Sequence, residues 1–224
     1  RAIFCSRGGY GLARIIDKID FSDLKFNPKW VVGFSDITVL HNALSKVGVA
    51  SIHGIMAKHI TLKAEGLENL MSMLFGSEVS YEIPAHELNK IGEASGELVG
   101  GNLSVLYGLR GTPFDIDYRG KILFIEDLSE RLYHIDRMMQ ALKRAGKLAN
   151  LSGIVVGSFS QMHDNSIAFG QSAYEIIASA VEDYDYPKVF GANIGHESGK
   201  NAPIVVGGNA IVSVKDGMIY IKQR

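Results

Sequence analysis

The sequence has a single cysteine, a single tryptophan and a net charge of only −1. Cys5 alone cannot form an internal disulfide or a cysteine-built zinc site, and this scarcity fits a reducing compartment. The charge balance contains no basic excess that would indicate nucleic acid or an anionic membrane as a partner. The apolar runs are too short to span a membrane. No histidines have the spacing of metal ligands, so we expect no metal.

The first part of the 224-residue chain alternates short apolar runs with helical patterns. Three runs are typical of buried strands: Arg1–Ser6, Trp30–Phe34 and Val49–His53. Apolar residues spaced three and four apart after Leu12 predict a helix, and Ser35-Asp36 opens another. Continuous apolar strands between helices favour a parallel sheet covered by helices.

The second part of the chain has more predicted strands, and its last strands are joined by short turns. Lys121–Ile125, Gly153–Val156 and Lys188–Phe190 are predicted strands, and the chain end is typical of a β meander with a turn at Asp216-Gly217. Asp127 and Glu130 have the spacing of a capping box for the helix that follows. Residues 80–97 are polar and weakly periodic.

These patterns predict an α/β fold in two domains. Residues 1–83 form a parallel α/β N-terminal domain, residues 84–95 a crossover linker, and residues 96–224 a β-rich α/β C-terminal domain. Parallel sheets usually hold more than three strands. We therefore expect the N-terminal domain to lack its first strands, which would belong to an upstream segment of the whole protein.

Ser35 lies in the block Gly33-Phe34-Ser35-Asp36, between a predicted strand and a helix. Open α/β sheets place their sites at the carboxyl ends of strands, and a sharp turn there exposes a serine hydroxyl as a nucleophile. The usual second glycine is replaced by Ile37. On local evidence alone, a helix N-cap is the commoner role for a serine at this position.

Other blocks are also open to two interpretations on local grounds. Arg7-Gly8-Gly9-Tyr10-Gly11 lets the backbone approach an anion, or is a tight turn. Glu126 follows a strand and can orient a histidine, or only favours a helix dipole. Among the seven histidines, His196 in a glycine-rich loop and His53 at a strand end are rival candidates for a general base.

Together these blocks resemble the LD-carboxypeptidases, a family of serine peptidases. The resemblance spans the whole chain, and eight blocks occur in the family's order. They are Arg7–Gly11, Pro28–Thr38, His53-Gly54, Gly100–Leu103, Gly111–Pro113, Phe124–Asp127, Ile135–Met138 and Gly195-His196.

The resemblance implies a Ser-Glu-His triad in a cleft between the two domains. Ser35 matches the family nucleophile, Glu126 the acid, and His196, rather than His53, the base. The backbone N–H of Asp36, with one from Gly8 or Gly9, would form the oxyanion hole.

The implied reaction removes the terminal D-alanine from murein tetrapeptide at an L,D bond, in peptidoglycan recycling in the cytoplasm. The family also implies a homodimer and no cofactor; we expect no nucleic-acid or membrane partner. A pocket for the D-alanine carboxylate needs a charged donor, usually arginine. The predicted substrate-binding residues are Arg7, Tyr10, Asn102, Arg131 and Arg137.

Two other functions are alternatives to the removal of D-alanine. A related subgroup hydrolyses antibiotics of the aminoacyl-adenylate type for self-immunity. It is expected to carry extra aromatic contacts between the nucleophile and acid blocks, whereas the single tryptophan here, Trp30, precedes Ser35. The second alternative is a non-catalytic module whose glycine-rich loop binds an anion.

Overall fold

The computed structural model describes residues 2–60, 66–197, 201–215 and 217–223. The strands are β1 (Ala2–Phe4), β2 (Trp30–Gly33), β3 (Ser51–His53), β4 (Val79–Pro84), β5 (Gly92–Asn102), β6 (Ile122–Leu128), β7 (Gly153–Ser160), β8 (Lys188–Phe190), β9 (Ile204–Val206), β10 (Asn209–Lys215) and β11 (Met218–Gln223). The α-helices are α1 (Ser22–Phe26), α2 (Thr38–Lys46), α3 (Leu67–Leu74), α4 (Leu103–Gly108), α5 (Leu132–Arg144) and α6 (Ala173–Ala180).

In these ranges the strands form two sheets, one of four strands and one of seven. The smaller sheet has the order β1-β2-β3-β9, in which β1, β2 and β3 are parallel and β9 runs antiparallel to β3. Residues Val31 to Phe34 are buried, as expected for a strand covered on both faces. The parallel strands end at one edge, which brings together the loops after Phe4, Gly33 and His53.

The larger sheet has the order β4-β11-β10-β5-β6-β7-β8. Strands β5 to β8 are parallel, and β10, β11 and β4 extend the sheet antiparallel. One face is covered by α4, α5 and α6, with Ile135, Met139 and Leu142 of α5 in the core. The spacing of these three residues puts them on one helix face. Strand β6, between β5 and β7, carries Glu126 and Asp127 near its carboxyl end, and both residues are buried.

The two sheets touch where β5 ends and α2 begins. The backbone N–H of Asn102 donates a hydrogen bond of 3.0 Å to Oγ1 of Thr38, the first residue of α2. Strand β9 also returns from the second half of the chain to pair with β3. The loop after β2 therefore faces the carboxyl ends of β5 and β6.

The segment predicted as the linker between the two domains holds strand residues at both ends. Residues 84–95 contain the end of β4 and the start of β5, and both strands belong to the larger sheet. The polar segment Gly92–Glu97 becomes a strand because β10 pairs with it across most of its length. This pairing is a long-range contact, so local periodicity does not reveal it.

Two further local predictions need correction. The apolar residues after Leu12 form two 3-10 turns, Leu12–Arg14 and Ile16–Lys18, rather than an α-helix. The predicted terminal meander exists only as β10 and β11, because β9 joins the smaller sheet; Asp216 of its turn lies outside the described residues. No helix within the described ranges is long and apolar enough to cross a membrane.

Candidate active site

Ser35 occupies a strained turn directly after β2. Its φ angle of 67° is in the left-handed region, which non-glycine residues rarely adopt. A 3-10 turn, Ser35–Ile37, leads from it into α2, and the N-cap position of that turn is Phe34 rather than Ser35. Strain at a strand-to-helix turn is the geometry that presents a nucleophile. The N-cap interpretation of Ser35 is therefore not supported.

The glycine-rich loop lies against this turn. A Cβ placed on Gly8 would be 2.9 Å from Cβ of Ser35 and 3.1 Å from its Oγ, so only glycine fits without movement. The carboxylate of Asp36 holds the same loop by accepting a hydrogen bond of 3.1 Å from the N–H of Leu12. The backbone of the predicted oxyanion loop is thus beside the Ser35 hydroxyl.

Glu126 and His196 form an ion pair at the end of β6. Nδ1 of His196 lies 2.6 Å from Oε2 of Glu126, whose side chain is completely buried. A Cβ on Gly195 would be 2.7 Å from the same carboxylate oxygen. Glycine at this position therefore lets the loop bring the imidazole onto the acid.

Burial alone would lower the pKa of His196, but the hydrogen bond that its ring donates to Glu126, with the charges of Glu126 and Asp127, raises the pKa above its ordinary value. The neighbouring Asp127 has its own pKa raised to about 7, by burial and by the charge of Glu126, although it accepts three hydrogen bonds. The site thus stabilises a protonated imidazole.

Phe34 connects the pair to the serine turn. The centroid of its ring lies 4.7 Å from that of His196, and Phe34 immediately precedes Ser35. No hydrogen bond joins Ser35 and His196 in the described part of the chain. Hydrogen bonds of this kind often tighten only when substrate binds.

The rival histidine, His53, lies deeper. It is fully buried and neither ring nitrogen has a hydrogen-bond partner among the described residues. Its ring packs 5.8 Å from Phe34 and 5.1 Å from Phe124. Burial, followed by the charges of His41 and His196, lowers the pKa of His53 far below its ordinary value. A neutral packing role suits this environment.

The predicted substrate-binding residues are not all brought together. Arg7 is exposed beside Gly9, and Tyr10 is 82% exposed. Arg131 contacts the carbonyl of Asp164 and the side chain of Asn165, and Arg137 lies over the ring of Tyr133. The side chains of Arg131, at the start of α5, and Arg137, within α5, are thus occupied by other contacts.

Asn102 has a structural use in this fold. Its Oδ1 accepts a hydrogen bond from the N–H of Val105, capping α4, and its Nδ2 donates to Asp127 at 2.8 Å. Asp127 also accepts from the N–H of Ser104 at 2.9 Å. Asp127 therefore caps α4, and the predicted capping box with Glu130 is wrong. Glu130 instead pairs with His134 at 2.6 Å.

Sequence reasoning missed two residues near the site, Lys58 and His59. They lie in the 3-10 turn Ala57–His59 after β3, and the ring of His59 is 5.7 Å from that of Phe34. The available signal was their position just beyond a parallel strand, at the edge where Ser35 also lies.

A serine on a strained turn, with a buried carboxylate–imidazole pair beside it, is typical of serine hydrolases. The family models described as LD-carboxypeptidase N-terminal domain and C-terminal domain match residues 1–54 and 95–212. The chain belongs to the LD-carboxypeptidase family and is a serine-type carboxypeptidase.

Individual relatives agree with this assignment. The Bacillus subtilis protein named "Probable murein peptide carboxypeptidase" is 37% identical over 99% of this chain and 72% of its own length. The crystal structure of muramoyltetrapeptide carboxypeptidase from Oxalobacter formigenes is 30% identical, with a TM-score of 0.91, over 100% of this chain and 77% of that one. The two-domain α/β prediction is thus confirmed as a fold class.

The self-immunity protein for microcin C7, MccF, has the same fold. Its wild-type structure without ligand superposes with a TM-score of 0.84, over 100% of this chain and 76% of that chain. The identity is 20%, so this likeness concerns the fold alone.

Proposed function

We propose that this protein removes the C-terminal D-alanine from murein tetrapeptide, cutting the bond between the L-configured centre of a diamino acid and D-alanine. The ion pair between Glu126 and His196, held beside the Ser35 turn by the ring of Phe34, is the observation that carries the proposal. The names of the Bacillus subtilis and Oxalobacter formigenes relatives support the substrate class.

In the first step, Nε2 of His196 takes the proton of the Ser35 hydroxyl as Oγ attacks the peptide carbonyl. Glu126 accepts the hydrogen bond of Nδ1, orients the ring and stabilises the imidazolium. The new oxyanion receives hydrogen bonds from the backbone N–H of Asp36 and from that of Gly8 or Gly9. The close approach of Gly8 to Ser35 supports this location for the second donor.

In the second step, the imidazolium of His196 protonates the departing amine, and D-alanine leaves. The acyl group remains as an ester on Ser35. Water, deprotonated by His196, attacks this ester and frees the shortened peptide, and the proton returns to Ser35. No metal or organic cofactor takes part in this scheme.

Location in the cytoplasm and assembly as a homodimer complete the proposal. Both rest on the family resemblance. Light scattering on the purified protein tests the dimer, and fractionation of the source cells tests the location. A monomer at micromolar concentration, or a protein found outside the cytoplasm, would remove that part of the proposal and leave the chemistry unaffected.

The deciding experiment supplies three tests at once. A fluorophosphonate should label Ser35, identified by mass spectrometry of the peptide. The protein should release free D-alanine from the tetrapeptide, and a peptide ending in L-alanine should be cut far more slowly. Equal kcat/KM for the two peptides would indicate a general peptidase. Labelling of another residue would show that Ser35 is not the nucleophile.

A further inference from the structure

Two loops at the edge of the smaller sheet are joined by backbone hydrogen bonds. The N–H of Ala57 donates to the carbonyl of Cys5, and the N–H of Lys58 donates to that of Ser6, both at 3.1 Å. The turn after β3 is therefore fixed to the loop after β1. This places Lys58 and His59 next to Arg7, which follows Ser6 in the chain.

Two of these three side chains, those of Arg7 and His59, lie against parts of the proposed catalytic group. The guanidinium of Arg7 lies near Gly9, 3.6 Å from where a Cβ on that glycine would be. The ring of His59 packs on Phe34, on which His196 also packs. All three side chains are exposed.

Among the described residues, no acidic side chain pairs with this cluster of Arg7, Lys58 and His59. Partial burial, the charge of Lys58 and that of His196 lower the pKa of His59. The guanidinium of Arg7, the amine of Lys58 and the imidazole of His59 all offer N–H donors to an anion.

A carboxypeptidase must distinguish a terminal residue from an internal one, and the free α-carboxylate is the group that differs. We propose that Arg7, Lys58 and His59 form the subsite that receives the free α-carboxylate of the substrate's C-terminal residue. This inference rests on the proposed function. It replaces Arg131 and Arg137 as carboxylate ligands, since their side chains contact Asp164, Asn165 and Tyr133 instead.

The test compares the tetrapeptide with the same peptide amidated at its C-terminus. Lys58→Met keeps the length of the side chain and removes its charge. We expect kcat/KM for the free acid to fall about tenfold, mostly through KM, because one charge-assisted hydrogen bond is lost. The slower reaction of the amide should change less than about twofold. His59→Gln and Arg7→Gln should act in the same direction.

The matched control is Lys25→Met, an exposed lysine on α1, which should leave both peptides at wild-type rates. Fluorophosphonate labelling of Ser35 should proceed at the wild-type rate in Lys58→Met, which shows that the fold and the nucleophile are intact. If kcat/KM fell equally for the acid and the amide in Lys58→Met, the proposed subsite would be overturned. Release of D-alanine by the wild type would still support the proposed function.

Failure of the proposed function is recognised separately. If the wild type released no D-alanine, the binding of acid and amide to Ser35→Ala would be measured by calorimetry. A preference for the acid that disappears when Lys58→Met is added would uphold the subsite. Equal binding of both peptides, or binding of neither, would overturn it.

Discussion

Nδ1 of His196 lies 2.6 Å from Oε2 of Glu126, although the two residues are 70 positions apart in the chain. One residue is in a loop after β8, and the other is at the buried end of β6. The hydrogen bond leaves Nε2 of the imidazole for a second partner. It also fixes which nitrogen carries the proton when the ring is neutral.

Ser35→Ala should fold normally and lose nearly all turnover. Ser35 is not the N-cap of the 3-10 turn that it begins, so removal of its hydroxyl costs little stability, whereas loss of a nucleophile typically costs about a thousandfold or more in kcat. Steady-state release of D-alanine and thermal unfolding measure the two effects. Retention of more than about a tenth of the wild-type rate would show that Ser35 is not the nucleophile.

His196→Ala should lose far more kcat than His53→Ala. Only His196 contacts the acid, while His53 is buried without a hydrogen-bond partner in the described structure. His53→Phe is the control that keeps an aromatic ring against Phe34 and Phe124. It should retain activity, since an apolar ring replaces an unpaired polar one. A larger loss in both His53 variants than in His196→Ala would reverse the assignment.

Glu126→Gln should lower kcat by about a hundredfold to ten-thousandfold while KM stays within a few-fold, because the carboxylate balances a charge that exists only near the transition state. It should also move the acid limb of the pH–rate profile to lower pH. The reason is that Glu126 raises the pKa of His196, and the base must be neutral to act. An unchanged profile with normal kcat would argue that the pair is only structural.

Asp127→Asn should change how stability depends on pH. The pKa of Asp127 is raised to about 7 in the folded state, against about 3.9 in an unfolded chain. As the pH rises between these values, the carboxyl ionises in the unfolded chain before it ionises in the folded protein. The free energy of unfolding of the wild type therefore decreases. Urea unfolding at several pH values should reveal a smaller loss in Asp127→Asn.

The same variant provides a kinetic check. The charge of Asp127 contributes to the raised pKa of His196, so the acid limb of kcat/KM should shift to lower pH in Asp127→Asn. A shift to higher pH would contradict the electrostatic coupling. A destabilised but unshifted variant would restrict Asp127 to capping α4.

Gly8→Ala should lower kcat by at least about tenfold with little loss of stability. The added methyl group would lie 2.9 Å from Cβ of Ser35, so the oxyanion loop or the serine must move, and small displacements of reacting groups cost large factors in rate. Gly108→Ala is the matched control, because no described atom beyond its chain neighbours and its own helix backbone lies within 4 Å of the added carbon. Equal rates for the two variants would show that Gly8 has no role in the active site.

The sequence by itself determined the elements whose signals are local. Apolar runs marked β2, β6, β7 and β8, and the spacing of Ile135, Met139 and Leu142 marked α5, because strand and helix periods are properties of neighbouring residues. The order of short blocks was enough to identify the family. The turn holding Ser35 was also recognisable from the strand before it and the helix after it.

Only the tertiary structure decided how distant parts meet. The pairing of β10 turned the polar segment Gly92–Glu97 into a strand, and β9 crossed to the smaller sheet. Within that fold His196 contacts Glu126 while His53 is buried without a partner in the described residues, although both followed strands in the sequence. Lys58 and His59 joined Arg7 through two backbone hydrogen bonds. These contacts depend on strand order and sheet packing, which no local pattern encodes.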